Sequence, residues 1–105
     1  MNDPLNGDGQ PKGAYVFRLY LAGGAPNSVR AFANLYAICR KHFPGSHRIE
    51  VIDVLKEPLR ALAEFIFVTP TVVRLSPAPE LQIIGNLSDE EEILRALDLP
   101  QKENG

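Results

Sequence analysis

Val68-Thr69-Pro70-Thr71-Val72 is a Thr-Pro-Thr step that runs straight into an apolar segment. Proline has no N–H to give to a sheet ladder, so it is tolerated at the first residue of a strand or at an edge. The step therefore predicts a strand over Thr71 to Leu75 with Pro70 at its threshold. Downstream, Ser76-Pro77-Ala78-Pro79 makes a loop rather than a two-residue hairpin, and Leu81 to Ile84 predicts a further strand. Gly85-Asn86 turns the chain into Ser88-Asp89-Glu90-Glu91, which predicts a helix capped by Ser88 with Glu91 closing a capping box. Ile93, Leu94 and Leu97 give that helix its apolar face, and Pro100 stops it.

Upstream of the step the reading forks. Pro58 suits the first position of a helix, and Leu59, Leu62, Ala63 and Ile66 keep helical spacing. Phe65-Ile66-Phe67-Val68 is equally a compact β-prone run, and local propensity leaves both open. Earlier still, Ile49 to Val54 predicts a strand entered from a loop holding His47 and Arg48. The helix before it, Ser28 to Phe43, carries Val29, Phe32, Leu35, Tyr36, Cys39 and Phe43 on one stripe, with Arg30, Asn34 and Lys41 opposite. Asn27 or Ser28 can cap its start, and Pro44-Gly45 ends it. Ala14 to Leu21 is apolar on both faces and predicts a central, covered strand. A helix joining two strands implies that they run parallel. The order is β-α-β-α-β-β-α.

With 105 residues the chain supports one domain, placed at residues 14–99, with residues 1–13 and 100–105 expected as disordered tails. A net charge of −2 with both signs scattered argues against nucleic acid as the partner. The apolar run Phe65 to Val68 is far short of the ~20 residues of a membrane span. No cationic start followed by an apolar stretch is visible, so the cytoplasm is the expected location. One cysteine cannot form an internal disulfide, and Cys39, His42 and His47 alone cannot make a four-ligand metal site. No cofactor is expected.

The Thr-Pro-Thr step and the element order resemble thioredoxin-like domains, in which this step carries a cis-proline facing a Cys-x-x-Cys pair at the first helix tip. Pro70 is then the structural cis-proline, while the tip Gly23-Gly24-Ala25-Pro26-Asn27-Ser28 holds no cysteine. A framework kept without its thiols points to binding rather than catalysis. The blocks Leu19-Tyr20-Leu21-Ala22-Gly23-Gly24-Ala25-Pro26-Asn27-Ser28-Val29-Arg30-Ala31, Val51-Ile52-Asp53-Val54-Leu55-Lys56 and Thr69-Pro70-Thr71 resemble the KaiB family of circadian-clock proteins. So do Ile83-Ile84-Gly85-Asn86-Leu87-Ser88 and Leu97-Asp98-Leu99, and all stand in family order over about residues 15 to 99.

That resemblance implies a non-enzymatic regulator that binds a KaiC-like hexameric ATPase and changes how its phosphorylation is controlled. It also implies a thioredoxin-like binding form beside a resting fold with the C-terminal half rearranged, and self-association to dimer or tetramer. The residues implied in partner binding are Lys56, Pro58, Leu59, Leu62 and Arg74. The chain departs from the cyanobacterial pattern at Glu50, Leu81 and Gln82, which stand where basic residues are found. Losing those cations would weaken an electrostatically guided encounter, which keeps another signalling partner, such as a sensor histidine kinase, as the alternative. Ala96 stands where the cyanobacterial proteins have glycine, and alanine favours helix by about 0.8 to 1 kcal/mol. That difference is expected to populate the thioredoxin-like form.

The remaining candidates favour plain structural roles. Cys39 lies late on its helix in the core stripe, the wrong setting for a reactive thiol. Gly24 and Asn27, where the cysteine pair would stand, offer no nucleophile. Ser28 could imitate the helix-tip serine of some glutathione transferases, but capping explains it better. Gly23-Gly24 lacks the Gly-Lys-Ser/Thr of a phosphate cradle. Glu50 and Asp53 fall on opposite strand faces and cannot act as a carboxylate pair. His42 and His47 read as surface residues, and Tyr20, Phe32 and Tyr36 as core.

Overall fold

A computed structural model describes residues 14–99, and the expectations for the two tails and for Pro100 lie outside these residues. Its elements are β1 (Tyr15–Leu21), α1 (Pro26–His42), β2 (His47–Asp53), α2 (Pro58–Ala63), β3 (Thr71–Ser76), β4 (Leu81–Ile84) and α3 (Glu90–Ala96). The strands form one sheet in the order β2-β1-β3-β4. β1 pairs parallel with β2, as the crossover helix α1 requires, and antiparallel with β3, which pairs antiparallel with β4. The second strand starts at His47, so His47 and Arg48 belong to the ladder rather than to the loop expected there.

The alternation along β1 distributes the sheet between two cores. Phe17 and Leu19 face α1 and α3, meeting Ala31, Leu35, Ile38, Cys39, Ile93 and Leu97. Tyr20 points the other way, into a smaller cluster with Ile52, Val73, Ala61 and Ile66 beneath α2. Helix α1 carries the wide apolar stripe read from the sequence, but it is rotated on the sheet. Ser28, Ala31, Leu35, Ile38 and Cys39 are buried, whereas Val29 and Phe32 stay 54% and 43% exposed and Tyr36 is half-buried. A stripe that broad cannot be covered whole. The edge with the small residues Ser28 and Ala31 approaches the sheet, and Phe32 packs against Tyr36 at its shoulder with the rings tilted and their centroids 4.8 Å apart.

The fork before Pro70 resolves to a helix of one and a half turns followed by a turn. Phe65 takes a left-handed φ of 61°, so the β-prone run is broken at its first residue. The Ile66 N–H then donates to Ala61 O at 2.9 Å and that of Phe65 to Leu62 O at 3.0 Å. This is a Schellman closure in which a phenylalanine stands where glycine is usual. Helix α3 closes likewise: Leu99 N–H donates to Leu94 O and Asp98 N–H to Arg95 O, with Asp98 at φ 61°.

The start of α3 differs from the expectation by one residue. Asn86 Oδ1 accepts from Ser88 N–H at 3.0 Å, which holds Ser88 in the turn, and the cap is Asp89, accepting from Glu92 N–H at 3.1 Å. No Ser88–Glu91 box forms.

Ala96 closes the last regular turn of α3, on its exposed side. Ala96→Gly should weaken this helix by up to about 1 kcal/mol and leave the sheet intact. Faster amide exchange confined to the α3 residues, with unchanged protection in β1, is the expected readout.

Candidate functional site

The ends of β1 and β2 and the loops beyond them make the surface in question. At the tip before α1, the Ala22 N–H donates to Ser28 Oγ at 3.0 Å and the Gly23 N–H to Asp53 Oδ1 at 3.1 Å. The same Asp53 oxygen accepts from Leu55 N–H at 3.0 Å. One carboxylate at the end of β2 thus fixes both the tip and the entry to α2. Gly23 sits at φ +52°, and a Cβ there would lie 3.2 Å from Leu55 Cδ1, so glycine lets the two loops close on each other.

Ser28 is buried and does not cap: α1 begins at Pro26 after Ala25, which makes no side-chain cap. Asn27, at one of the two positions a thiol pair would use, is held by hydrogen bonds to its side-chain oxygen. Its Oδ1 accepts from Arg30 Nη1 at 3.1 Å and from Asn86 Nδ2 at 3.2 Å, while Asn34 Nδ2 donates to Asn86 O at 2.8 Å. This network, which sequence reading missed, ties the helix tip to the turn before α3. Its only signal was three asparagines far apart in the chain.

The Thr69–Pro70 peptide is cis, and Pro70 is buried with its carbonyl accepting from Gly85 N–H at 3.0 Å. Cys39 is fully buried, and desolvation pushes its thiol up to about 12, so it carries no thiolate at neutral pH. The histidines are engaged rather than free on the surface: His42 Nε2 lies 2.7 Å from Glu90 Oε2, and His47 Nδ1 2.8 Å from Phe43 O. Among the described residues no group of His, Cys, Asp or Glu could hold a metal ion, and no helix is long and apolar enough to cross a membrane.

Of the residues singled out for partner binding, Lys56, Pro58, Leu59 and Leu62 come together on and just before α2, all exposed. Leu59 is 78% and Leu62 58% exposed, far beyond what an ordinary surface leucine position needs. Leu55, Phe65, Phe67 and Val68 extend the same segment and are exposed as well. Sequence reading left that run ambiguous because it could not foresee that the left-handed Phe65 turns only Ile66 inward.

Arg74 must be removed from this surface. It is only 6% exposed and lies on the opposite face of the sheet, where its guanidinium donates to Leu97 O at 3.3 Å and Pro79 O at 3.1 Å. A cation against the last carbonyls of α3 complements the negative end of that helix. In this fold the residue braces the end of α3 and does not join the α2 face.

Beneath α2 lies a charge cluster. Glu50 Oε1 accepts from Arg18 Nε at 2.8 Å and Glu50 Oε2 from Arg60 Nη2 at 2.7 Å, linking β2, β1 and α2. Burial alone would raise the Glu50 pKa, but the two arginine hydrogen bonds outweigh it and hold the carboxyl below its ordinary value. Glu50 is therefore a latch for α2.

One sheet of this order covered by helices on both faces, with a cis-proline beside a helix tip devoid of cysteine, is a thioredoxin-like domain without the thiol pair. Solved structures agree on the fold. Chloroplastic thioredoxin z superposes with a TM-score of 0.66 at 18% identity over 83% of this chain and 80% of that one. The N-terminal domain of Synechococcus elongatus SasA gives 0.68 at 18% identity, over 89% and 91% of the two chains. The KaiB domain model matches residues 18–99, and a circadian clock oscillator protein KaiB from a Cyanothece species is 47% identical over 92 residues, 88% of each chain. The chain belongs to the KaiB family.

Two outcomes follow from this geometry. Because the folded Glu50 pKa is depressed, the latch stabilises fully above the unfolded carboxylate value of about 4.3 and is lost as pH falls through the folded value. Glu50→Ala should cost about 1 kcal/mol at pH 7, with the gap from the parent protein closing in urea titrations as pH falls below the ordinary carboxylate range. Arg74→Ala, by contrast, should cost about 2 kcal/mol at either pH, since its partners are carbonyls that do not titrate.

Proposed function

We propose that this protein is a non-enzymatic regulator that docks on a KaiC-type hexameric ATPase and changes how that enzyme's phosphorylation is controlled. What carries the reading is family membership joined to the exposed apolar residues of α2, where Lys56, Pro58, Leu59 and Leu62 stand together. A leucine pair so exposed has no use in the fold itself, since Ala61 and Ile66 already cover the sheet on this side. Buried against a partner, such side chains supply the desolvated centre of an interface, with Lys56 at its rim.

The contact is apolar at its heart, and Glu50, Leu81 and Gln82 take no part in it. Glu50 is committed to Arg18 and Arg60. Leu81 packs partly against the larger core, and Gln82 stands on β4, on the outer edge of the sheet. Binding strength should therefore vary little with salt, because no long-range charge steering is built in. The protein acts in the cytoplasm, with no cofactor, and a rearranged self-associated resting form belongs to the same reading.

The test is co-elution of the full chain with a KaiC-type hexamer in its phosphorylated or ADP-bound state. Leu59→Glu and Leu62→Glu should each weaken binding at least about tenfold, the effect of removing one interface anchor, while far-UV circular dichroism stays unchanged. If the hexamer retains no parent protein at tens of micromolar, the assignment of partner falls.

A further inference from the structure

We propose that the cleft between the free edge of β4 and helix α3 receives an extended segment of another protein, of the form basic-x-aliphatic, added as a fifth strand antiparallel to β4. This surface shares no residue with the α2 face, so it stands apart from the reading just given.

The open edge comes first. β4 is the last strand of the sheet among the described residues. The Gly85 N–H donates inward to Pro70 O at 3.0 Å. In an antiparallel ladder the inward-facing groups recur at every second residue. Ile83 and Leu81 therefore also turn their backbone groups to β3, and the N–H and C=O of Gln82 and Ile84 point outward. Exposed edges are commonly guarded by charge or proline. The opposite edge, β2, carries Arg48, Glu50 and Asp53, whereas Leu81-Gln82-Ile83-Ile84 holds no charge and no proline. A cleft of about 350 Å³ runs beside this unguarded edge, walled on its far side by Glu92, Ile93 and Ala96 of α3. Strand-adding domains combine these two features: the edge backbone supplies affinity, and a side-chain cleft supplies specificity.

Charge and spacing select the occupant. Helix α3 runs back along β4, because Arg74, the ladder partner of Leu81, reaches Leu97 O at 3.3 Å. Glu92 thus stands toward the Gly85 end of the cleft and Ala96 toward the Leu81 end. They are one helical turn apart on the same face, ~6 Å along the axis. Alternate residues of a strand lie ~6.6 Å apart on one side, so two side chains of an added strand match them. Residues directly opposite in an antiparallel pair share a face. The side chain opposite Ile83 then meets Ile93 and Ala96 and has to be apolar. The one opposite Gly85 meets Asp89 and Glu92, both exposed and in no ion pair among the described residues. Glu90 differs, being held by Lys41 and His42. The residue between them lies beside Ile84, which is 65% exposed on the other face. Read from its own N-terminus, the segment is Lys or Arg, then a β-branched residue, then Val, Ile or Leu.

Titrating the isotope-labelled full chain with the blocked peptide Thr-Lys-Thr-Val-Thr, followed by NMR, tests this without any ATPase. Shifts confined to β4, Gly85 and the cleft face of α3 are expected at peptide concentrations on the order of millimolar. Methylating the amide nitrogen of the central threonine, the donor to Ile84 O, should abolish them. Glu92→Lys should weaken binding about tenfold and turn the preference toward Thr-Glu-Thr-Val-Thr, while Leu59→Glu on α2 should change neither. Absent shifts, or shifts centred on α2 or β2, overturn the proposal. So does equal binding of the methylated peptide, or an unchanged preference in Glu92→Lys. A β4 edge already paired with that of a second copy, seen as a dimer in sedimentation with its amides protected, overturns it too. Each of these outcomes leaves the docking assignment to its own experiment.

Discussion

The middle strand β1 has to be satisfied along both edges and covered on both faces, and most of the molecule follows from that demand. Leu19 and Tyr20 are adjacent in sequence, point to opposite sides, and are both fully buried. Only a sheet with β2 on one edge and β3 on the other, and with a layer on each face, meets this condition. The parallel edge calls for a crossover helix, and α1 supplies the first layer. The antiparallel edge brings β3, whose entry at Pro70 lies beside the tip that α1 leaves from. The position of the candidate surface is therefore a by-product of pairing the central strand.

The two faces are not equally well covered. Helices α1 and α3 fill one side, drawing in Phe17, Leu35, Ile38 and Leu97. On the other side a helix of six residues stands over Tyr20, Ile52 and Val73. So short an element can turn only one stripe toward the sheet, here Ala61 and, through the following turn, Ile66. Everything else apolar on the segment faces water. The exposed leucines and phenylalanines are thus a consequence of a short cover carrying a long apolar sequence, and a folding core gains nothing from them. That imbalance is the physical ground for reading the face as a contact surface.

The strands and their succession along the chain could be read from the sequence because each depends on a local pattern: apolar character on both faces from Ala14 to Leu21, proline punctuation at 70, 77 and 79, and a helix of sufficient length between the first pair. Features set by distant partners could not be read. The rotation of α1, which left Val29 and Phe32 outside, depends on which edge of a broad stripe is small enough to approach the sheet. The fork at Phe65 to Val68 was decided by a left-handed residue that propensity disfavours. Arg74 looked like a surface cation because nothing near it in sequence announces that the end of α3 will arrive above it. Glu50 looked like a lost docking charge for the same reason, since Arg18 and Arg60 are 32 and 10 positions away.

Glu50 also shows why a change of sign at one position need not carry its meaning in isolation. A basic residue there would set three cations together with Arg18 and Arg60, and α2 would lose its tie to the sheet. The acid converts that repulsion into a bridge, and it does so at the helix whose closure is strained: a non-glycine residue in the left-handed region costs roughly 1–2 kcal/mol, and Phe65 is one. The charge bridge therefore holds the helix whose closing turn is strained just beyond its last residue. Holding α2 in place keeps Leu59 and Leu62 presented outward as a fixed ridge. The acid thus ties the helix that carries the apolar ridge to the two strands beneath it.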